Sequence, residues 1–146
     1  MNKYSLSFIF VISFLWGCAA SKITVDKAEL AAAAHMNIAD SLSAKSAFRK
    51  ATNEYLLITK QYKTTSYYAD AVYHAAVLFS NPLNPSASDS ASLYWFKIYL
   101  TLPIPDQQKE KAVIYISMLE RIKLLREELQ KLREVDVQVN KRGTKK

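Results

Sequence analysis

The fold is decided by residues 51–62, ATNEYLLITKQY. Four side chains of this stretch recur at steps of four, three and four residues: Ala51, Tyr55, Ile58 and Tyr62. These steps place a small, an aromatic, an aliphatic and a second bulky side chain on one face of a helix. The same order of side-chain types returns forty residues later, in Ala91, Trp95, Ile98 and Leu102. A fixed period of this size predicts stacked helical hairpins.

The rest of the composition also favours helices. The chain has 146 residues and only two glycines, Gly17 and Gly143, which lie near its two ends. Phosphate-binding loops and tight hairpin turns depend on glycine, so neither is expected between these two positions. Alanine is abundant and the spacing of apolar residues is helical, so we predict an all-α fold.

Capping residues and prolines divide the chain into helices. Asp26 followed by Glu29 resembles a capping box at the start of a helical pattern that continues to Tyr62. The polar residues 40–43 favour a break in this pattern, with one continuous helix as the alternative. Further helices are predicted over residues 67–79, 90–102 and 107–138, with caps at Ser66, at Ser88 or Asp89, and at Asp106.

Residues 44–119 resemble the tetratricopeptide-like helical repeats of exported lipoproteins, such as the lipoprotein subunit of the outer-membrane β-barrel assembly machine. In the family, the four packing residues are followed along the chain by a proline. A serine comes next, then Tyr-Ala, an acidic residue and another alanine. Here residues 66–71 read SYYADA, and Pro103 follows the second copy. Lys63 departs from the pattern, because it stands at the proline position of the first copy, and the loop over residues 81–90 is longer than the family's turn. The resemblance implies antiparallel helical hairpins that stack and bind partner proteins.

The last predicted helix has its own apolar pattern. Spacings of three and four residues relate Met118, Ile122, Leu125, Leu129, Leu132 and Val139, with Asp136 at one position of the same seam. Such a seam over about three heptads is typical of a short coiled coil. One interpretation is that this helix caps the repeats and frays at its end. The other is that it projects beyond Leu124 and pairs with a partner helix or with a second copy of the chain.

The first residues resemble the export signal of a bacterial lipoprotein. Lys3 precedes an apolar run over residues 4–16, which is the pattern of a secretory signal and is shorter than a membrane-spanning helix. Residues 15–18, LWGC, resemble the lipobox, in which the cysteine is alkylated with diacylglycerol and becomes the new N-terminus. Trp16 departs from the small residue usual there. A plain secretory signal with a chance cysteine and an uncleaved signal anchor are the alternatives.

Lipidation of Cys18 would attach the protein to a membrane through several acyl chains, which anchor stably where one chain does not. The residue after the cysteine is Ala19. In the lipoproteins that this chain resembles, an aspartate at that position favours retention of the protein in the inner membrane. The resemblance therefore implies the periplasmic face of the outer membrane. Cys18 is the only cysteine, so the chain can form no internal disulfide.

The charge distribution argues against a nucleic-acid partner. The formal net charge is +7, and removal of residues 1–17, whose one charge is Lys3, leaves +6. Four of these charges lie in the tail at Lys141, Arg142, Lys145 and Lys146, so the rest is nearly balanced. We interpret the tail as a solvated end, with contact to anionic lipid headgroups as the alternative.

No constellation of catalytic residues is evident in the sequence, so we predict no catalytic residue, cofactor or metal. The two histidines, His35 and His74, lack the further ligands that a metal needs, although Asp70 stands four residues before His74. Trp95 and Ile98 are expected in the core. Two aromatic residues of the same helix, Tyr94 and Tyr99, are candidates for a partner-binding surface, together with Leu125, Leu129 and Leu132.

These features predict five segments: a signal peptide (1–17), a lipidated tether (18–25), a tetratricopeptide-like domain (26–119), a C-terminal amphipathic helix (120–139) and a basic tail (140–146). We expect a non-enzymatic, lipid-anchored adaptor of the cell envelope that binds a protein through its repeats and its last helix. The alternatives are a regulatory lipoprotein acting on a membrane sensor kinase or a similar signalling protein, and a structural link from membrane to cell wall.

The lipid anchor is testable through Cys18. We expect Cys18→Ala to abolish acylation, because the thiol is the acceptor of the diacylglyceryl group, and to leave an unprocessed or soluble chain. Labelling cells with a clickable fatty acid measures this. Equal labelling of the wild type and the variant would contradict the lipoprotein interpretation.

Overall fold

The computed structural model describes residues 26–143. The predicted signal peptide, Cys18, the tether over residues 18–25 and the last residues of the basic tail lie outside the described residues. Within them the fold is all-helical, as predicted, and consists of α1 (Lys27–Ala44), α2 (Phe48–Gln61), α3 (Tyr68–Ser80), α4 (Asp89–Leu100) and the long C-terminal helix α5 (Asp106–Gly143).

Each helix packs against the next one in the chain. α1 packs on α2, α2 on α3, α3 on α4, and α4 on α5. Because the connections are short, consecutive helices run antiparallel, and the chain forms stacked helical hairpins with α5 as an additional last helix. This order agrees with the predicted stack of hairpins.

The first half of the core lies between α1, α2 and α3. Its buried side chains are mostly small: Ala32, Met36, Ala39, Ala51, Tyr55, Ile58, Ala71, Ala75 and Leu78. The alanines are fully buried, which allows the helices to approach closely. Tyr55 fills the remaining space, and its hydroxyl donates to Asp40 Oδ1 at 2.6 Å. Burial and this carboxylate raise the pKa of Tyr55 above its ordinary value, so the phenol stays protonated.

The second half of the core lies on the other side of α3 and is aromatic. Its buried side chains are Val72, Ala76, Phe96, Tyr99, Ala112 and Leu119. Tyr115 of α5 stacks on Phe96 of α4 with ring centroids 5.0 Å apart, and Tyr73 meets Phe96 edge-on. These ring contacts attach the first half of α5 to the hairpins.

The break between α1 and α2 lies later than the predicted polar stretch over residues 40–43. α1 ends at Ala44, and Ser46 adopts a left-handed conformation with φ of 58°. The N–H of Ala47 donates to Leu42 O at 2.9 Å, and the N–H of Ser46 donates to Ser43 O at 2.9 Å. This pair of bonds is a Schellman motif, which satisfies the last carbonyls of the helix.

Of the predicted capping box at the start of α1, the structure confirms the bond to Asp26 and contradicts the bond to Glu29. Asp26 caps the helix, since its carboxylate accepts from the N–H of Ala28 at 2.9 Å. The Glu29 carboxylate instead accepts from the N–H of Ser66 at 3.2 Å and from the Ser66 hydroxyl. Ser66 therefore does not cap α3, whose N-cap residue Tyr67 makes no side-chain capping bond. The bond holds the start of α1 against the loop before α3.

The loop before α4 is fixed by a buried amide. Asn84 is almost fully buried, and its Nδ2 donates to Leu78 O at 2.8 Å and to Thr52 Oγ1 at 3.2 Å. The long loop is therefore fastened to both α2 and α3. Of the two predicted capping residues, Ser88 caps α4 by accepting from the N–H of Ala91 at 3.2 Å, and Asp89 is the first residue of the helix.

The register of the repeat differs by one residue from the predicted period of forty. In α2 the buried residues are Ala51, Tyr55 and Ile58, but their counterparts in α4 are Ser92, Phe96 and Tyr99. Ala91, Trp95 and Ile98 are only half-buried at the edge of the core. The Ser92 hydroxyl donates to Ala76 O at 2.8 Å, which fixes this face of α4 towards α3.

The corrected register can be tested with two alanines. We expect Ala51→Leu to lower the free energy of unfolding by about 1–3 kcal/mol, because the added side chain has no space between the helices. The matched control Ala91→Leu should cost clearly less, since Ala91 is half-buried. Thermal and urea denaturation of the full chain measure both. Equal losses would mean that the two alanines are equivalent after all.

Candidate functional site

Helix α5 is divided into a packed half and an exposed half. In the first half Ala112 and Leu119 are buried, and Tyr115 and Ile116 pack at the edge of the second core. Leu119 is 4% exposed and is the last buried residue of the helix in the described part of the chain. All residues from 120 to 140 are exposed. The helix therefore extends beyond the body of stacked hairpins.

The sequence explains why the helix leaves the body after Leu119. The face that continues from Leu119 at steps of four and three carries Lys123, Arg126, Gln130 and Arg133. Charged side chains gain nothing from burial without partners. Arg126 forms an ion pair with Asp89 in the first turn of α4, and this pair links the exposed half to the body.

An apolar stripe runs along a different face of α5. Met118 directly precedes Leu119 and is rotated from it by about 100° around the helix axis, so the two side chains point in different directions. The exposed side chains of this stripe are Ile114, Met118, Ile122, Leu125, Leu129, Leu132 and Val139. Leu132, a predicted partner-binding residue, is 66% exposed. We call these seven residues the α5 stripe; at 1.5 Å per residue it is about 37 Å long.

The stripe is a surface that the chain does not cover with its own described residues. Exposed apolar side chains that form one contiguous patch mark interaction sites more often than scattered ones do. Leu125 and Leu129 belong to this patch together with Leu132, so the structure brings three of the predicted partner-binding residues to one face.

The two predicted partner-binding tyrosines of α4 have different positions. Tyr94 is 58% exposed and meets Trp95 edge-on, with ring centroids 5.2 Å apart. Tyr99 is only 3% exposed, and its hydroxyl donates to Gln108 Oε1 at 3.0 Å. The prediction of Tyr99 as a surface contact is wrong, because the shifted register turns it into the core beside Tyr73.

A small polar cleft lies where α3, α4 and the start of α5 meet. It has a volume of about 180 Å³ and is lined by Asp70, Tyr73, His74, Tyr99, Gln108 and Lys111. Burial raises the pKa of Tyr73, with a smaller contribution from Tyr115. Burial also raises the pKa of Tyr99, and the Asp70 carboxylate raises it further. Both phenols are therefore neutral hydrogen-bonding groups and are poor bases.

The histidines take part in packing contacts. His74 stacks on Tyr55 with ring centroids 5.2 Å apart. His35 Nδ1 lies 2.7 Å from Glu54 Oε2, and its ring stacks on Tyr62. No local sequence pattern marks the contact between His35 and Glu54, because their helices meet only in the folded chain.

The part of the chain that the structure describes has neither a cluster of metal-ligating side chains nor a membrane-spanning helix. Residues 26–143 contain no group of three or more His, Cys, Asp or Glu side chains arranged to hold a metal ion. None of the helices described between these residues is long and apolar enough to cross a membrane.

Comparison with protein-family models, with curated proteins and with solved structures finds no match to this chain. The similarity to tetratricopeptide-like repeats therefore stays a resemblance of the residues quoted above. What that resemblance implies for partners and location stays a prediction.

The same substitution at two leucines of α5 tests the division of the helix. We expect Leu119→Asp to lower the free energy of unfolding by several kcal/mol, because it buries an unpaired charge in the second core. Leu132→Asp should leave the melting temperature nearly unchanged, since Leu132 is exposed. Thermal denaturation of the two variants at low protein concentration measures this. A large cooperative loss of fold in Leu132→Asp would return the exposed half to the core.

Proposed function

We propose that this chain is a non-enzymatic, lipid-anchored adaptor of the bacterial cell envelope, and that it binds another protein through the α5 stripe. The observation that carries the proposal is the exposed apolar stripe on a helix whose first half is firmly packed. A rigid base and an uncovered apolar face are the two requirements of helix-mediated recognition.

The energetic basis of the proposed binding is burial of the stripe. Each large aliphatic side chain that leaves water contributes roughly 1.5–3 kcal/mol. Ile122, Leu125, Leu129 and Leu132 are the large aliphatic side chains of the exposed half that lie on the stripe. The N-terminal half of α5 is already held to the body by the stacking of Tyr115 on Phe96 of α4. Binding through the stripe therefore loses little conformational entropy in ordering the helix.

The proposed anchor sets where this binding takes place. Lipidation at Cys18 would leave a tether of eight residues, 18–25, between the membrane and α1. A chain of this length spans at most about 28 Å when fully extended. The adaptor would therefore work close to the periplasmic face of the outer membrane, and the protein that occupies its stripe would be an envelope protein or a second copy of this chain.

The charges of α5 support a protein partner over nucleic acid. Acidic side chains recur at Glu120, Glu127 and Glu134, on the face opposite the stripe. Basic side chains lie between them and the stripe, so no continuous basic surface follows the helix. A nucleic-acid ligand would need such a surface to neutralise its phosphates.

The proposal is tested with photo-crosslinking amino acids in the full chain, in its native envelope. We expect a crosslinker at Leu129 to capture a partner protein, because Leu129 lies on the stripe. A crosslinker at Glu127 is the matched control, as it is equally close to the helix end but faces the opposite side. Mass spectrometry of the adduct then distinguishes an assembly factor, a signalling protein such as a sensor kinase, and a second copy of this chain.

Equal adducts at both positions would contradict binding through the stripe. A chain found in the soluble fraction with an unmodified Cys18 would contradict the anchor. The two results are independent, since one concerns residues 1–25 and the other concerns α5.

A further inference from the structure

The charges beside the α5 stripe carry information about its occupant. Arg121 and Glu128 lie on one flank of the stripe, and Arg126 and Arg133 lie on the other. Asp136 interrupts the stripe itself between Leu132 and Val139. Arg126 already pairs with Asp89 of its own chain. A partner helix must place compatible groups opposite the other charges, because side chains that flank an apolar seam decide orientation and partner choice.

A second copy in parallel orientation fits these charges poorly. In a parallel pair, each residue on the flank of Arg121 and Glu128 faces the residue five positions later, on the opposite flank of the other helix. This brings Arg121 against Arg126 of the partner subunit, which is unfavourable. It also brings the two Asp136 carboxylates together across the seam. Only Glu128 and Arg133 of the partner subunit form an attractive pair.

A second copy in antiparallel orientation fits them well. When the two helices cross between Lys123 and Leu124, Arg121 faces Glu128 of the partner subunit, and the pair occurs twice by symmetry. Asp136 then lies opposite Lys111 of the partner subunit, an exposed residue that also lines the polar cleft of its own chain. The flank of Arg121 and Glu128 and the interruption of the stripe both find partners in this one register. The other flank lies towards the body, where Arg126 already pairs with Asp89 of its own chain.

The apolar residues match in the same register. Ile122 lies opposite Leu125 of the partner subunit, and Met118 lies opposite Leu129. Outside the stripe's centre, Ile114 and Val135 of the partner subunit face each other, and both are exposed in the single chain. The exposed half of each helix would thus cover the outer face of the packed half of the other.

We propose that the occupant of the α5 stripe is the α5 stripe of a second copy, in an antiparallel pair centred between Lys123 and Leu124. This inference rests on the proposed function, which places the chain in the envelope and assigns binding to the α5 stripe. It adds the identity of the molecule that the stripe binds. Tyr94, which lies on α4 outside the stripe, stays exposed for other contacts.

A membrane surface is a weaker match for the stripe. Arginines flank an apolar face in many helices that lie on anionic lipid. In this helix Asp136 lies within the apolar face and Glu128 lies on its edge, so both carboxylates would be pressed against lipid headgroups of the same charge. The antiparallel pair instead gives each carboxylate a cation.

Disulfide crosslinking of the full chain in its native envelope tests the register. Two tagged versions are produced together, one with Met118→Cys and the other with Leu129→Cys. We expect a mixed disulfide between the two tags after mild oxidation, because these residues face each other. Leu132→Cys alone is the matched control and should give no dimer, since its two copies lie about 25 Å apart along the pair.

Charge exchange provides a second, independent measurement on exposed residues that do not support the fold. Arg121→Glu and Glu128→Arg should each lower the yield of the mixed disulfide several-fold, since each places like charges together. The combination of both changes in one chain should restore the yield. A parallel pair makes the opposite prediction for Arg121→Glu, which would then face Arg126 and raise the yield of the Leu132→Cys dimer.

The remaining outcomes separate this inference from the proposed function. A Leu132→Cys dimer without a mixed disulfide overturns the antiparallel register. A disulfide or photo-adduct to a different protein overturns the second copy and leaves the adaptor intact. No protein adduct, together with protection of the Leu129→Cys thiol by anionic vesicles, overturns both in favour of a lipid surface. A dimer of the otherwise unchanged chain through Cys18 contradicts the anchor alone.

Discussion

Helix α3 has to present small side chains in two directions at once, and both halves of the core are built on that requirement. Ala71 and Ala75 face α1 and α2, while Val72 and Ala76 face α4 and α5. Neighbouring residues on a helix point about 100° apart, so two such pairs at a spacing of four form two adjacent stripes. A larger residue at Ala75 or Ala76 would push one set of helices away from the other. The stacking order of the hairpins therefore depends on the middle helix being narrow.

Polar groups then select one arrangement among the several that an alanine-rich core would allow. The Tyr55 hydroxyl with Asp40, the Ser92 hydroxyl with Ala76 O, and Asn84 between two helices each need a specific register. Among the described residues, no buried side-chain nitrogen or oxygen lacks a hydrogen-bond partner. Small apolar contacts permit close packing, whereas these bonds penalise a slip of one residue, because a slip would strand a buried polar group.

The sequence predicted what depends on local spacing and missed what depends on the folded surroundings. The helices and the stripe follow from periodicity, so both could be read directly. The break at Ser46 could not be located from the sequence, because the left-handed residue there is a serine and not the usual glycine. The backbone hydrogen bonds of the Schellman motif stabilise the serine in this conformation. The buried face of α4 lies one residue later than the predicted face, at Ser92 and Phe96. The run Tyr94-Trp95-Phe96 is aromatic on every side of the helix, and only the hydrogen bond from Ser92 selects the face that is buried. The bond from His35 to Glu54 joins two helices and leaves no local trace.

Helix α5 also behaves as a lever arm. No proline or glycine interrupts it between Asp106 and Asn140. The ring contacts of Tyr115 hold its first half, and the ion pair of Arg126 with Asp89 links the start of its exposed half to the body. From Leu119 to its end the helix extends about 36 Å at 1.5 Å per residue. A tilt of the hairpins by about ten degrees would therefore move the tip by about 6 Å, close to one helical turn. A small rotation of the body therefore displaces the tip of a straight α5 by about the distance between successive turns. Such a displacement is large enough to bring one side chain of the stripe to the position of the next.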